Sequence, residues 1–275
     1  MTLEQIKKEI AERNYADTEF GLGKEELDTA AKEFISFIDL PPETKKEFYF
    51  KIDQNDRKAE LGYLNHKREK GNTDSKEYFH YHPMVDEAFG ESVKKYSSVS
   101  SFFAAAQKIY NEAVFSLAEM LDEFEKEFPG IKKQFFPDDS YDHFFLRFLK
   151  YDNGGEGEFL AKAHYDNGSY TLAIAESAPG LRIGKSDKDL KEVFHKNKSA
   201  LFMPAMDFWR ITTPEFTPAW HDVVQKSQNA YNKDVARWAI VFFADISTIK
   251  RYTYEEAHTP ITYWPKWPRD PNFPV

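Results

Sequence analysis

The chain has 275 residues, 41% of them hydrophobic and 25 of them Phe, so it can bury a substantial core unaided and is not globally disordered. It has no cysteine, which excludes disulfides, thiolate metal sites, iron–sulfur clusters and cysteine nucleophiles. Its 37 basic and 46 acidic residues give a net charge of -9 with no basic stripe, which argues against nucleic acid as a partner.

The N-terminal stretch from Met1 to Asn14 is charged and has no apolar core of the kind a secretory signal carries. Leu3, Ile6 and Ile10 recur at helical spacing there. Leu27, Ala31, Phe34, Ile35 and Ile38 form a clearer stripe over Glu25 to Ile38. Pro41 stops that helix, and Pro42 can open the next, ETKKEF. Asp53 to Ser75 is polar and reads as an extended loop, and the lysines at 45, 46 and 185–198 read as solvated surface. Ser97 to Phe128 gives the strongest helical pattern, with Phe102, Ala106, Ile109, Ala113, Leu117, Leu121 and Phe124 in phase. Ser98, Ser100 and Ser101 offer N-caps, and Pro129-Gly130 ends the run. A helix this long is expected to form a supporting wall.

The character changes near Asp138. Phe144 to Tyr151, Tyr170 to Ile174, Leu181 to Ile183, Ala200 to Met203 and Trp238 to Phe243 are short β-rich runs parted by Gly, Pro, Asn and Asp. No long helical pattern separates most of them, which predicts antiparallel pairing in a sandwich or barrel. Asp187 to Asn197 is the exception, where a helical turn is expected. The tail from His258 is rich in Pro, Tyr and Trp and is expected to run across the surface or to lid a cavity mouth. One domain over 1–275 is expected, with a mainly helical region (1–137), a β core (138–247) and a Pro/aromatic tail (248–275). No run approaches the roughly 20 apolar residues of a membrane span, so a cytoplasmic protein, monomeric or weakly self-associating, is expected.

His164 and Asp166 carry the sharpest chemical signal. On an extended strand, positions i and i+2 share a face, so both side chains can reach one metal ion. A third ligand must come from elsewhere, and eight histidines are available. Two imidazoles and a carboxylate make the facial set that holds non-haem Fe(II) and leaves positions open for O₂. A hydrolytic zinc site is the competing use of the same donors, but no HExxH is present. A ligand-binding barrel without catalysis is the other class of reading. His80 and His82 form a second same-face pair without an obvious carboxylate, and His66, His143 and His195 read as surface.

The segment HYDNGSYTLAIAESAPGLRI (164–183) resembles the iron-binding segment of the isopenicillin N synthase-like, 2-oxoglutarate/Fe(II)-dependent oxygenases. PAMD (204–207), WHDVV (220–224) and RWAIVFF (237–243) follow in the family's order. LPPETKKEF (40–48), LGY (61–63) and TDSKEYFHY (73–81) match its upstream segments, so the likeness spans nearly the whole chain. The resemblance implies a mainly β fold with flanking helices: a double-stranded β-helix (jelly-roll, cupin-like) barrel behind an N-terminal helical region and one long supporting helix.

It further implies that His164, Asp166 and His221 ligate Fe(II), that Arg237 receives the far carboxylate of 2-oxoglutarate, and that Tyr151 hydrogen-bonds this co-substrate. The implied activity is O₂-dependent oxidation, most often hydroxylation, of a small organic molecule. Asp166 argues against halogenation, which uses a small residue there. Two features depart from the pattern. The interval from His221 to Arg237 is longer than usual, and Ala239 stands where the family has a serine. Both keep open an oxidase that cyclises or desaturates without 2-oxoglutarate. Arg182, Arg210, Trp209 and Phe145 are candidates for substrate contact. An arginine in the cavity would suit an amino acid or another carboxylate.

Overall fold

The strands sort into two antiparallel sheets because their side chains alternate between two different environments. In the computed structural model, residues 1–52, 60–66, 75–137, 143–226, 231–232, 234–246 and 253–264 are described. The strands are β1 (Ala16–Glu19), β2 (Tyr49–Lys51), β3 (Glu60–His66), β4 (Lys76–Tyr81), β5 (His143–Asp152), β6 (Phe159–His164), β7 (Tyr170–Glu176), β8 (Leu181–Gly184), β9 (Lys191–Glu192), β10 (Ser199–Pro204), β11 (Trp220–Val224) and β12 (Val235–Asp245). Eight form one sheet in the order β1-β10-β7-β12-β5-β4-β3-β2, and four form the other in the order β6-β11-β8-β9. Consecutive sheet neighbours are mostly distant in sequence, as expected of a jelly roll. Among the described residues no hydrogen-bonded ladder joins the two sheets.

The middle of the large sheet, β5 and β12, is covered on both faces. Phe144, Leu146 and Phe148 of β5, with Trp238, Ile240 and Phe242 of β12, belong to a core shared with the helices. Leu149 and Tyr151, with Ala239, turn instead toward the small sheet and pack with Leu160, Leu181 and Val223. Such period-two alternation makes register decisive: a slip of one residue would exchange the two faces. Arg237 stands opposite Tyr151 in this register, and Phe243 opposite Phe145.

Eight helices are described: α1 (Leu3–Arg13), α2 (Lys24–Ile38), α3 (Pro42–Lys46), α4 (Met84–Val93), α5 (Ser97–Phe124), α6 (Ile131–Phe135), α7 (Met206–Ile211) and α8 (Tyr254–Ala257). Thr2 and Gln5 cap α1 reciprocally. Pro42 opens α3 at its first position. The long helix α5 is the expected wall, and Phe102 packs on Phe148 and Phe34 between the sheet and α2. Its residue before the first turn is Tyr96, without a side-chain cap; Ser98, Ser100 and Ser101 lie inside the helix.

Three local expectations need correction. Within the stretch expected as a loop, Glu60–His66 is strand β3, and 53–59 and 67–74 lie outside the described residues. Gly62 allows β3 to form: its φ is 83°, and a Cβ there would lie 1.9 Å from the Phe48 carbonyl. Asp187 to Asn197 forms no helix: a single hydrogen-bonded turn from Ser186 to Asp189 is followed by β9, which pairs with β8. Lys45 is not solvated. It is buried against Glu77, 2.6 Å away, and that carboxylate also accepts from Tyr63. Within the tail, 253–264 holds α8 and a short 3-10 turn (Ile261–Tyr263). The rest of the tail lies outside the described residues. Among the described residues, no helix is long and apolar enough to cross a membrane.

Candidate metal centre

His164 ends β6 and His221 lies in β11, and the two are register partners across the antiparallel pair. Their ring centroids are 4.4 Å apart. Asp166 follows just beyond the end of β6, and its carboxylate lies 3.8 Å from His164 Nε2 and 3.9 Å from His221 Nε2. One donor atom from each residue lies within 4.8 Å of the others, close enough to share one ion.

The backbone sets the imidazoles for ligation. His164 Nδ1 lies 2.7 Å from the Lys162 carbonyl, and His221 Nδ1 lies 2.9 Å from the Ala219 carbonyl. A carbonyl only accepts, so both Nδ1 atoms carry a proton, and Nε2 of each ring is the atom turned toward Asp166 and the shared point. Burial and the neighbouring His221 push His164 down to about 3, which keeps it neutral, as a ligand must be. Burial alone would raise Asp166. His221, His164 and the Thr171 hydroxyl, 2.9 Å away, outweigh it and hold the carboxyl below its ordinary value.

The turn behind the ligands is fixed from both sides. Met206 N–H donates to the Asp166 carbonyl and Asp207 N–H to that of Gly168, each at 3.0 Å. Tyr165 points the other way, as its odd position requires. It packs on Trp220, its N–H donates to the Ala257 carbonyl, and its hydroxyl accepts from Ile261 N–H. The tail is thereby tied down beside the site, and His258 stacks 5.8 Å from His164.

Inward from the ligands, a cavity between the sheets is lined by Tyr151, Thr171, Glu176, His195, Arg237 and Ala239, among others. Burial lowers Arg237 to about 10, which still leaves it charged at neutral pH. Its Nε donates to the Ala178 carbonyl, and its terminal nitrogen is paired with the Glu176 carboxylate. His195 Nδ1 lies 3.4 Å from the other Glu176 oxygen. His195 therefore lines the cavity wall with 12% of its side chain exposed, instead of standing on the open surface as expected of it.

Outward from the ligands lies a mouth lined by His80, Phe145, Arg147, Phe243, Asp245 and His258, among others. Phe145 is thus close to the centre, and it stacks on Phe243. The other substrate candidates point elsewhere. Arg182 makes a two-pronged contact with Asp222 at 2.8 and 2.5 Å and is absent from the walls of both spaces. Arg210 lies 3.5 Å from Asp207, and Trp209 is buried with its ring 6.1 Å from that of Trp264.

Glu176 was missed for a definable reason. Simple alternation along β7 would point it outward with Leu172 and Ile174. A register irregularity between β7 and β12 at Ile240/Val241 reverses the parity and sets Glu176 opposite the inward-facing Ala239. Thr171, by contrast, was recoverable as the inward residue nearest Asp166.

No family model matches the sequence, and none of the curated proteins does. Solved structures do match. JOX2 in complex with 2OG, Fe and JA shares 16% identity over 92% of this chain and 74% of its own, with a TM-score of 0.67. A Caulobacter crescentus protein assigned to the 2OG-Fe(II) oxygenase family shares 18% over 96% and 88%, at 0.65. The dioxygenase for auxin oxidation 1 from Arabidopsis thaliana, as its 2-oxoglutarate complex, shares 13% over 99% and 94%, at 0.63. The chain therefore has the fold of the 2-oxoglutarate/Fe(II)-dependent oxygenases.

Proposed function

We propose that the protein is a non-haem Fe(II)- and 2-oxoglutarate-dependent dioxygenase that hydroxylates a C–H bond of a small organic molecule. The observation that carries this reading is the convergence of His164, Asp166 and His221, with both Nδ1 atoms committed to backbone carbonyls. Two imidazoles and one carboxylate suit Fe(II) and leave part of its coordination sphere open. Iron held there with 2-oxoglutarate supplies the O₂ activation needed to attack an unactivated C–H bond. The bound 2-oxoglutarate of the Arabidopsis neighbour and the 2OG, Fe and JA of JOX2 support the same cofactors.

The chain's own residues would do the rest. His164, Asp166 and His221 hold the ion. Thr171 orients Asp166 by donating to it. Arg237 binds the far carboxylate of the co-substrate inside the cavity between the sheets, where a buried carboxylate without a cation would be costly. The pairing of Arg237 with the Glu176 carboxylate is consistent with that role, since the guanidinium is placed to donate to a carboxylate there, but Glu176 must give way for the co-substrate to take its place. Tyr151, across the register from Arg237, lines the same space and is assigned to the co-substrate. The walls around it exclude bulk water.

A second reading rests on the same ion pair. If Glu176 stays on Arg237, the chain is an Fe(II)-dependent oxidase that cyclises or desaturates without 2-oxoglutarate. Anaerobic protein given Fe(II) and 2-oxoglutarate separates the two. A weak charge-transfer absorption in the green is expected if the keto acid chelates the iron. Iron binding without that absorption selects the oxidase. Hydrolysis supported by zinc would overturn both.

A further inference from the structure

Arg147 is the cation at the meeting point of the inner cavity and the mouth, where it lines both beside His164 and Asp166. It lies on β5 with Leu149 and Tyr151, on the face turned toward the small sheet. Its guanidinium is gripped by rings: its central carbon lies 4.7 Å from the centroid of Phe243, 5.2 Å from Tyr78 and 5.3 Å from Phe145. Arginine favours such faces because its flat cation is weakly hydrated.

One edge of the guanidinium is already engaged. Its Nε donates to His80 Nε2 at 2.8 Å. His80 Nδ1 lies 2.8 Å from the Glu60 carbonyl, which only accepts. His80 therefore carries its proton on Nδ1, is neutral, and offers Nε2 as an acceptor. The histidine thus orients Arg147 without adding or removing charge. Among the described residues, no carboxylate forms an ion pair with Arg147. The acidic groups at the mouth hydrogen-bond elsewhere: Asp166 to Thr171 at the metal centre, where the charge of Arg147 reaches it only through space, Glu60 to the Tyr49 hydroxyl, and Asp245 to Ser169 N–H.

Resting on the oxygenase reading, we propose that Arg147 is the receptor for a substrate carboxylate, and that the substrate is a small organic monoacid with an apolar body. The two terminal guanidinium nitrogens form the fork that binds a carboxylate. Phe145 and Phe243, stacked 5.1 Å apart, give the body of such an acid an apolar wall. An acid anchored there would be held next to His164 and Asp166, with its C–H bonds on the side of the residues that would hold the metal. Arg182 and Arg210, engaged with Asp222 and Asp207, have no part in this.

The test compares acids with their own amides, which keep shape and lose charge. Benzoate, phenylacetate, 4-phenylbutyrate and hexanoate, each against the corresponding amide, are titrated calorimetrically into the protein, both metal-free and loaded with Mn(II) and 2-oxoglutarate. At least one acid is expected to bind about tenfold or more tightly than its amide, as a charge-assisted pair should. Arg147→Gln is expected to erase that preference while Fe(II) binding and the green absorption with 2-oxoglutarate persist. Equal binding of every acid and its amide by the wild-type protein overturns the proposal, as does absence of binding by all four acids. An acid preference that survives in Arg147→Gln overturns it too. If the green absorption fails while the acid preference holds, it is the oxygenase reading that falls.

Discussion

His164 and His221 face each other across one antiparallel pair, in register, each with Nδ1 turned onto the carbonyl of the residue two positions before it in the chain. The tautomer of both rings is therefore written into the local backbone. Among the described residues Asp166 has no such backbone partner for its side chain, which instead accepts from Thr171. Thr171→Val keeps the volume and removes the hydroxyl. It is expected to weaken Fe(II) binding about tenfold, the usual effect of losing a group that orients a ligand. Equilibrium metal titration checks this, and an unchanged affinity would show that the turn alone positions Asp166.

Glu176 and Arg237 set a competition. An internal carboxylate on Arg237 opposes the entry of another, so the apparent affinity for 2-oxoglutarate is reduced by the fraction of protein with Arg237 available. Glu176→Gln is expected to bind 2-oxoglutarate about tenfold more tightly, as when a competent state is raised from roughly a tenth to full occupancy. The same change leaves Arg237 buried without its counter-charge, at a cost of about 3 kcal/mol. The variant should therefore melt lower than wild type alone and show the larger rise on adding 2-oxoglutarate. Differential scanning calorimetry reads both effects. A variant stabilised no more than wild type would favour the oxidase.

Outside the walls of the cavity and the mouth, Glu77 binds a buried cluster with Lys45, Tyr63 and Lys150. Burial opposes its charge, but the hydrogen bonds from Lys45 and Tyr63 and the charges of both lysines win and hold it below its ordinary 4.5. A depressed carboxyl stabilises the fold fully above its unfolded value. That stabilisation fades as pH falls through the folded one. Melting temperature should accordingly fall with acidification below about pH 4.5. Glu77→Gln should lie lower at neutral pH and fall less steeply. Parallel melting curves for the two proteins would count against this role.

Gly168 sits in the turn after Asp166, where an added Cβ would lie 2.0 Å from Asp245 Oδ1. Asp245 accepts from Ser169 N–H, so it cannot retreat without breaking that bond. Gly168→Ala is expected to cost about 1–3 kcal/mol and to weaken metal binding by displacing Asp166. Gly90, in α4, has nothing within 4 Å of such a Cβ, and Gly90→Ala should be neutral or slightly stabilising. Chemical denaturation of the pair provides the comparison.

Strands with dense aromatic or branched residues, β5, β7, β8, β10 and β12, were legible in the sequence because their composition marks them. Strands β3 and β4 were not, since polar neighbours hide Leu61, Tyr63 and Phe79, and the positive φ of Gly62 looks like a loop signal. Strand β11 was seen only as the setting of His221, not as a β-run. At the site, the spacing of His164 and Asp166 was readable from strand geometry, whereas His221 came from resemblance, because its approach depends on long-range pairing. The β7 irregularity that turns Glu176 inward leaves no mark in one sequence. The role of His80 beneath Arg147 likewise needs the β4–β5 register, in which the two stand opposite each other.

The central claim is that three side chains form one iron site. Anaerobic Fe(II) titration of the wild type, His164→Ala and His221→Ala, with circular dichroism to confirm folding, tests it most directly. The wild type should take up one Fe(II) per chain, and each folded variant should bind at least about a hundredfold more weakly, because every ligand is needed to hold the ion. Equal stoichiometry and affinity in all three proteins would contradict the account.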